Sequence, residues 1–128
     1  MHIDGSTRLV GIIGNPLEHS LSPTIHNAAF DYLGLNWCYV PLPVEEGTLE
    51  SALEGIKVLR LAGVNVTMPF KTEVLPLLDE VAMFADSVGA VNTILVDKGK
   101  LIGIELFKAS LLFRNVLGLM GKEINQAA

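Results

Sequence analysis

Residues 8–67 alternate between short apolar runs and stretches with helical spacing, and this alternation restricts the fold more than any other feature. Residues 8–13 form a short apolar run followed by Gly-Asn-Pro, a strand running into a turn. Ser22 and Pro23 then open a helix, with Ser22 as N-cap and Pro23 at the first helical position. Ile25, Ala28, Ala29, Tyr32 and Leu33 follow at helical spacing, and Gly34 ends the run. Residues 37–42 read as a second strand, closed by Pro41 and Pro43. Residues 45–61 are helical by period, with Leu49, Leu53, Ile56 and Leu59 on the inner face, and residues 62–67 form a third strand. Strand, helix, strand, helix, strand predicts an α/β layer: an open, mainly parallel twisted sheet with helices on both faces.

Beyond residue 71, the stretch 72–79 contains Pro76 and predicts a short or broken helix; residues 81–88 predict another short one. Residues 90–96 and 100–104, joined by Asp97-Lys98-Gly99, carry a hairpin signal and add at least one antiparallel strand. Residues 106–120 predict a last helix. Hydrophobic residues make up 50% of the chain and charged ones 18%, enough apolar material for a core. A net charge of −5 with no cluster of Lys and Arg argues against a nucleic-acid partner. The single cysteine, Cys38, lies in an apolar run and reads as a buried, inert thiol. The amino terminus has no apolar segment of the secretory kind, and Glu105, Lys108 and Arg114 interrupt the greasiest region, so no membrane span is expected. The expectation is a soluble cytoplasmic domain.

Four polar clusters fall at or just past the predicted carboxyl ends of strands: Ser20 with Ser22, Asn65 with Thr67, Lys71, and Asn92 with Thr93. Each has a bland explanation in a cap, a turn or a surface cation. Their convergence on one sheet edge is the argument for function, because open α/β sheets hold ligands there. The set offers hydroxyls, carboxamides and one ammonium, without metal-ligand spacing or a phosphate-cradling glycine loop. It suits a small polyhydroxy or carboxylate compound. Ser20 and Ser22, near a helix N-terminus, suit a carboxylate. Asn65, Thr67 and Asn92 suit ring hydroxyls. Lys71 reads as a general acid/base or a charged anchor.

Three motifs, G-N-P-L-E-H-S-L-S-P-T-I-H-N, G-V-N-V-T-M-P-F-K and G-A-V-N-T, in that order and spacing, resemble shikimate dehydrogenase over residues 8–103. The resemblance implies the amino-terminal substrate-binding domain of an NADP-dependent oxidoreductase that interconverts 3-dehydroshikimate and shikimate in aromatic amino-acid biosynthesis. Ser20 and Ser22 resemble the pair that holds the substrate carboxylate. Asn65, Thr67 and Asn92 resemble residues on the hydroxyl side, and Lys71 resembles the lysine that helps move the proton.

Two departures stand against that pattern. The family continues with Gly-x-Asn-Thr-Asp, and here Phe107 occupies the position of the catalytic aspartate. Glu105, two residues earlier, either points to the same side along an extended backbone and compensates for that aspartate, or is a solvated glutamate at a helix start, the reading favoured here. No Gly-rich dinucleotide fingerprint occurs, so no cofactor site is expected in this chain. Residues 1–103 then read as the substrate-binding domain and residues 104–128 as a divergent carboxyl-terminal helix. That helix is apolar over most of its circumference, which implies packing on the same domain or a homodimer through residues 106–120. The leading expectation is a shikimate-like ligand site that is not catalytic by itself, with quinate an equal ligand candidate on these residues. The alternatives are a component of an active dehydrogenase whose cofactor domain is supplied elsewhere, and an interaction module that has lost its ligand.

Overall fold

The computed structural model describes residues 1–82 and 89–105. Six strands form one sheet: β1 (Arg8–Gly14), β2 (Trp37–Pro43), β3 (Gly63–Val66), β4 (Glu80–Val81), β5 (Thr93–Asp97) and β6 (Lys100–Ile104). Their order across the sheet is β2-β1-β3-β5-β6-β4. β1 pairs in parallel with both β2 and β3, and β4 with β6. β5 runs antiparallel to β3 and β6. The expected open, mainly parallel α/β sheet is present, with β5 as its antiparallel member.

From β1 the chain crosses to β2 on one side, then passes back over β1 to β3 on the other. With crossovers of one hand, those opposite steps place the two helices on opposite faces. Helix α1 (Ser22–Tyr32) contributes Phe30 to a core with Val10, Ile12, Trp37, Tyr39 and Ala62. Helix α2 (Leu49–Val58) contributes Leu49, Leu53 and Ile56 to the other core, with Ile13, Val64, Val66, Phe70, Val91 and Ile94. The alternation of Ile12 and Ile13 between the two cores is the period of a strand covered on both faces.

Several local expectations are corrected. Leu21, not Ser22, is the N-cap of α1, and no side-chain cap bond forms; Ser22 is already helical. The apolar repeat that marks α1 is not its buried face. Ile25, Tyr32 and Leu33 are exposed, and His26 and Phe30 point inward instead. Ring contacts explain the choice: His26 stacks on Tyr39 at 4.2 Å, and Phe30 meets Trp37 at 5.9 Å. The β2 strand continues through Pro41 to Pro43, which an edge strand tolerates because one side needs no donor. Helix α2 is shorter than residues 45–61, and Leu59, its C-cap, is exposed. Pro76 sits in a single 3-10 turn, Leu75–Leu77. Val81 belongs to β4 rather than to a helix; the rest of the helix expected over 81–88 lies almost wholly outside the described residues. So do Phe107, the helix expected over 106–120 and the homodimer drawn from it.

The hairpin follows expectation. Lys98 and Gly99 both have positive φ, 51° and 77°, the two-residue turn whose twist matches its strands. Cys38 is buried and unpaired. Among the described residues no helix is long and apolar enough to cross a membrane.

His26 makes folding sensitive to pH. Its ring is buried and its Nδ1 lies 2.8 Å from the Ser22 carbonyl. Burial holds the imidazole below its ordinary value of 6.5, the Ser22 contact pulling the other way. The unfolded chain therefore takes up this proton first as pH falls. The stabilising contribution is complete above about pH 6.5 and declines from there down to the lowered folded value. Denaturant melts between pH 7 and 5 should show this slope, flattened in His26→Phe; an unchanged slope in the variant would remove His26 as its source.

Candidate functional site

The sheet topology brings the polar clusters to one edge. β1, β3 and β6 point the same way, so their carboxyl ends share that edge, and antiparallel β5 begins there. The register aligns Ile12, Asn65, Thr93 and Ile104 across four strands. One step outward lie Val66 and Asn92, joined by a 2.8 Å bond from the Val66 N–H to the Asn92 carbonyl. The Asn92 N–H in turn donates to the Ile104 carbonyl at 3.2 Å.

The loop after β1 and the loop after β3 clasp each other. The Asn15 N–H donates to the Met68 carbonyl at 3.1 Å, and the Thr67 N–H to the Ile13 carbonyl at 3.0 Å. Asn15-Pro16 and Met68-Pro69 are both cis. Between these loops lies a cleft of about 370 Å³ lined by Ile12, Leu17, His19, Ser20, Ser22 and Thr67, among others. The volume is that of a small-ligand site. Ser20 Oγ accepts the Ser22 N–H at 3.3 Å, which ties the two hydroxyl-bearing residues together at the start of α1.

Asn65 is reached from the serine side through Tyr39. The Tyr39 hydroxyl donates to Asn65 Oδ1 at 2.6 Å, and Asn65 Nδ2 donates to the Asn92 carbonyl at 3.4 Å. Burial pushes the Tyr39 phenol above its ordinary value, the neighbouring Ser22 side chain pulling the other way, so the hydroxyl keeps its proton. Asn27 anchors that tyrosine, donating to the Tyr39 carbonyl at 2.9 Å and accepting its N–H at 2.8 Å. Tyr39, His26 and Asn27 were not singled out in the sequence. The pair His26-Asn27 at the end of the first motif was the available signal, since polar residues facing a sheet need partners there.

Asn92 Oδ1 accepts the Thr93 hydroxyl at 3.0 Å, and Asn92 Nδ2 donates to Glu105 at 3.5 Å. Glu105 is partly buried and turned toward Asn92, not solvated as expected. Lys71 stands beside this group, because its carbonyl accepts the Val91 N–H at 2.9 Å. Its ammonium forms no ion pair or hydrogen bond with another described residue. The structure thus joins Ser20, Ser22 and Thr67 in one cleft and Asn65 with Asn92 in one bonded row. It brings Lys71 alongside through the backbone.

Comparison with known proteins identifies the family to which the fold is similar. The family described as shikimate dehydrogenase substrate binding domain matches residues 12–94. The shikimate dehydrogenase (NADP(+)) of Carboxydothermus hydrogenoformans is 54% identical over 103 residues, which cover 80% of this chain and 37% of that protein. Shikimate dehydrogenase from Aquifex aeolicus superposes with a TM-score of 0.78 at 46% identity, over 80% of this chain and 39% of that one. Shikimate 5-dehydrogenase from Listeria monocytogenes, solved in complex with shikimate and NAD, gives 0.78 at 43% identity, over 81% and 36%. The chain spans little more than a third of the length of the relatives it matches.

Proposed function

The chain belongs to the family of shikimate dehydrogenase substrate-binding domains, and from that premise we propose that it binds shikimate or a close cyclic hydroxy-acid at the carboxyl edge of its sheet. The observation that carries the reading is the shared cleft of Ser20, Ser22 and Thr67 on the same sheet edge as the bonded row of Asn65 and Asn92. The hydroxyls of Ser20 and Ser22 receive the ligand carboxylate. Thr67 and the carboxamides of Asn65 and Asn92 read its ring hydroxyls, and Lys71 supplies a cation without a competing partner among the described residues. The relation to a structure holding shikimate supports the choice of ligand.

The relatives are named for NADP. Among the described residues no strand leads into a Gly-rich phosphate turn; β1 leads instead through Asn15-Pro16 to the serine cleft. The described residues do not fit that cofactor, and no hydride-transfer step is assigned to them. Lys71 acts in this reading as a binding residue. A second reading, favoured by the 54% identity to a dehydrogenase, makes the chain a component of an active enzyme with NADP held elsewhere.

Calorimetry with shikimate tests the reading. Lys71→Ala and Ser22→Ala should each weaken binding about tenfold or more, as loss of a charge-assisted hydrogen bond does. Saturating shikimate with neither heat nor amide chemical-shift change would remove it. NADP-dependent oxidation of shikimate by the purified chain would replace it with the second reading.

A further inference from the structure

We propose that Glu105 is a ligand-binding residue of this site. One oxygen of its carboxylate is held by Asn92, and the other accepts a hydrogen bond from a ring hydroxyl of the ligand. The inference rests on the reading of the site given above and adds to it an acidic group that the three sequence motifs do not contain.

Position is the first argument. Glu105 follows the last residue of β6, whose carboxyl end lies at the ligand edge. Ile104 pairs with Thr93, which pairs with Asn65, so Glu105 stands one residue beyond the row that carries the site. Its neighbour across the strand gap is Asn92.

The second argument is an unsatisfied atom. Glu105 Oε1 receives the Asn92 amide at 3.5 Å, the far limit of a hydrogen bond. Glu105 Oε2 is buried and has no hydrogen-bond partner among the described residues. Buried polar atoms are nearly always paired, and an ionised carboxylate is an acceptor with room for several donors. A buried oxygen with no donor, one residue beyond the row of Asn65, Thr93 and Ile104, leaves an acceptor for a donor that the ligand brings. The described residues offer no alternative employment for it. Neither Lys71 nor another described cation pairs with it, and no group of three His, Cys, Asp or Glu among them could hold a metal.

Chemistry selects the ligand group. A ligand carboxylate beside Glu105 would be repelled, whereas a ring hydroxyl donates a hydrogen bond to the carboxylate oxygen. The site then reads a cyclic hydroxy-acid from two ends, with donors for its carboxylate and an acceptor for a hydroxyl.

Calorimetric titrations of the full chain with shikimate and with analogues each lacking one ring hydroxyl separate the outcomes. Wild type should bind shikimate, and Glu105→Gln should bind it about tenfold more weakly with an unchanged amide spectrum. One deoxy analogue should lose a similar factor on wild type and little on Glu105→Gln, which couples that hydroxyl to this carboxylate. Full shikimate affinity in Glu105→Gln, while Ser22→Ala is weakened, overturns the role of Glu105 and leaves the site reading standing. Absence of any shikimate binding by wild type overturns the site reading and this inference with it. If the variant loses its dispersed spectrum, the ¹³C carboxyl resonance of Glu105 in wild type decides. It should shift on saturation with shikimate, and an unmoved resonance overturns the proposal.

Discussion

Phe70→Ala is expected to lower the folding free energy by about 3–5 kcal/mol, the usual cost of emptying a fully buried phenylalanine site. Phe70 has no exposed surface and belongs to the core with Ile13, Val66, Val74 and Val91. Its main chain is also committed: its N–H donates to the Thr67 carbonyl at 3.0 Å, and its carbonyl accepts the Val74 N–H at 3.1 Å. The ring thus pins the segment that carries Thr67 on one side and Lys71 on the other. Against a total stability of about 5–15 kcal/mol for a domain, the loss is a large share. Urea denaturation should show a lower midpoint, and shikimate affinity should fall with it as the segment loosens. A shift under about 1 kcal/mol would mean that the core closes over the gap and that Phe70 does not support the site.

Gly14→Ala is expected to cost about 1–3 kcal/mol through overpacking and to weaken shikimate binding more than tenfold. Gly14 ends β1 where the two site loops meet. A Cβ there would overlap the Thr67 methyl and lie 3.0 Å from the Met68 carbonyl oxygen and 3.2 Å from Leu17 Cδ2. Relief requires the β3 loop to retreat, taking Thr67 out of the cleft it shares with Ser20 and Ser22. Gly55→Ala is the control. Gly55 lies in α2 with nothing within 4 Å of its added Cβ, so the same substitution should stabilise by about 0.5–1 kcal/mol and leave binding alone. Thermal melts and calorimetry on both variants check the contrast. Wild-type affinity in Gly14→Ala would show that the loops separate without disturbing the cleft.

The parallel sheet was legible because its evidence is local. Strand and helix periods differ, Pro and Gly mark the breaks, and Lys98-Gly99 has the composition of a tight hairpin turn. The edge on which Ser20, Ser22, Asn65, Lys71 and Asn92 gather followed from strand direction. The buried face of α1 was not legible, since Ile25 and Tyr32 are more apolar by type than His26. Only the stacking of His26 on Tyr39 turns the helix that way. The favoured reading of Glu105 as solvated fails for a similar reason. A lone glutamate past a strand is most often solvated, and its contact with Asn92 exists only because β5 and β6 pair in one register.

The sequence by itself determined the order of elements, the two-sided core of β1 and the chemistry gathered at one edge. Each follows from residue type and spacing within a few positions along the chain. The tertiary structure alone decided how those groups are arranged. It placed the Tyr39 hydroxyl on Asn65, pressed Thr67 against Gly14 and turned Glu105 toward Asn92 with one oxygen unpaired among the described residues. These contacts join residues far apart in sequence. They depend on strand register and loop closure, which no local pattern encodes.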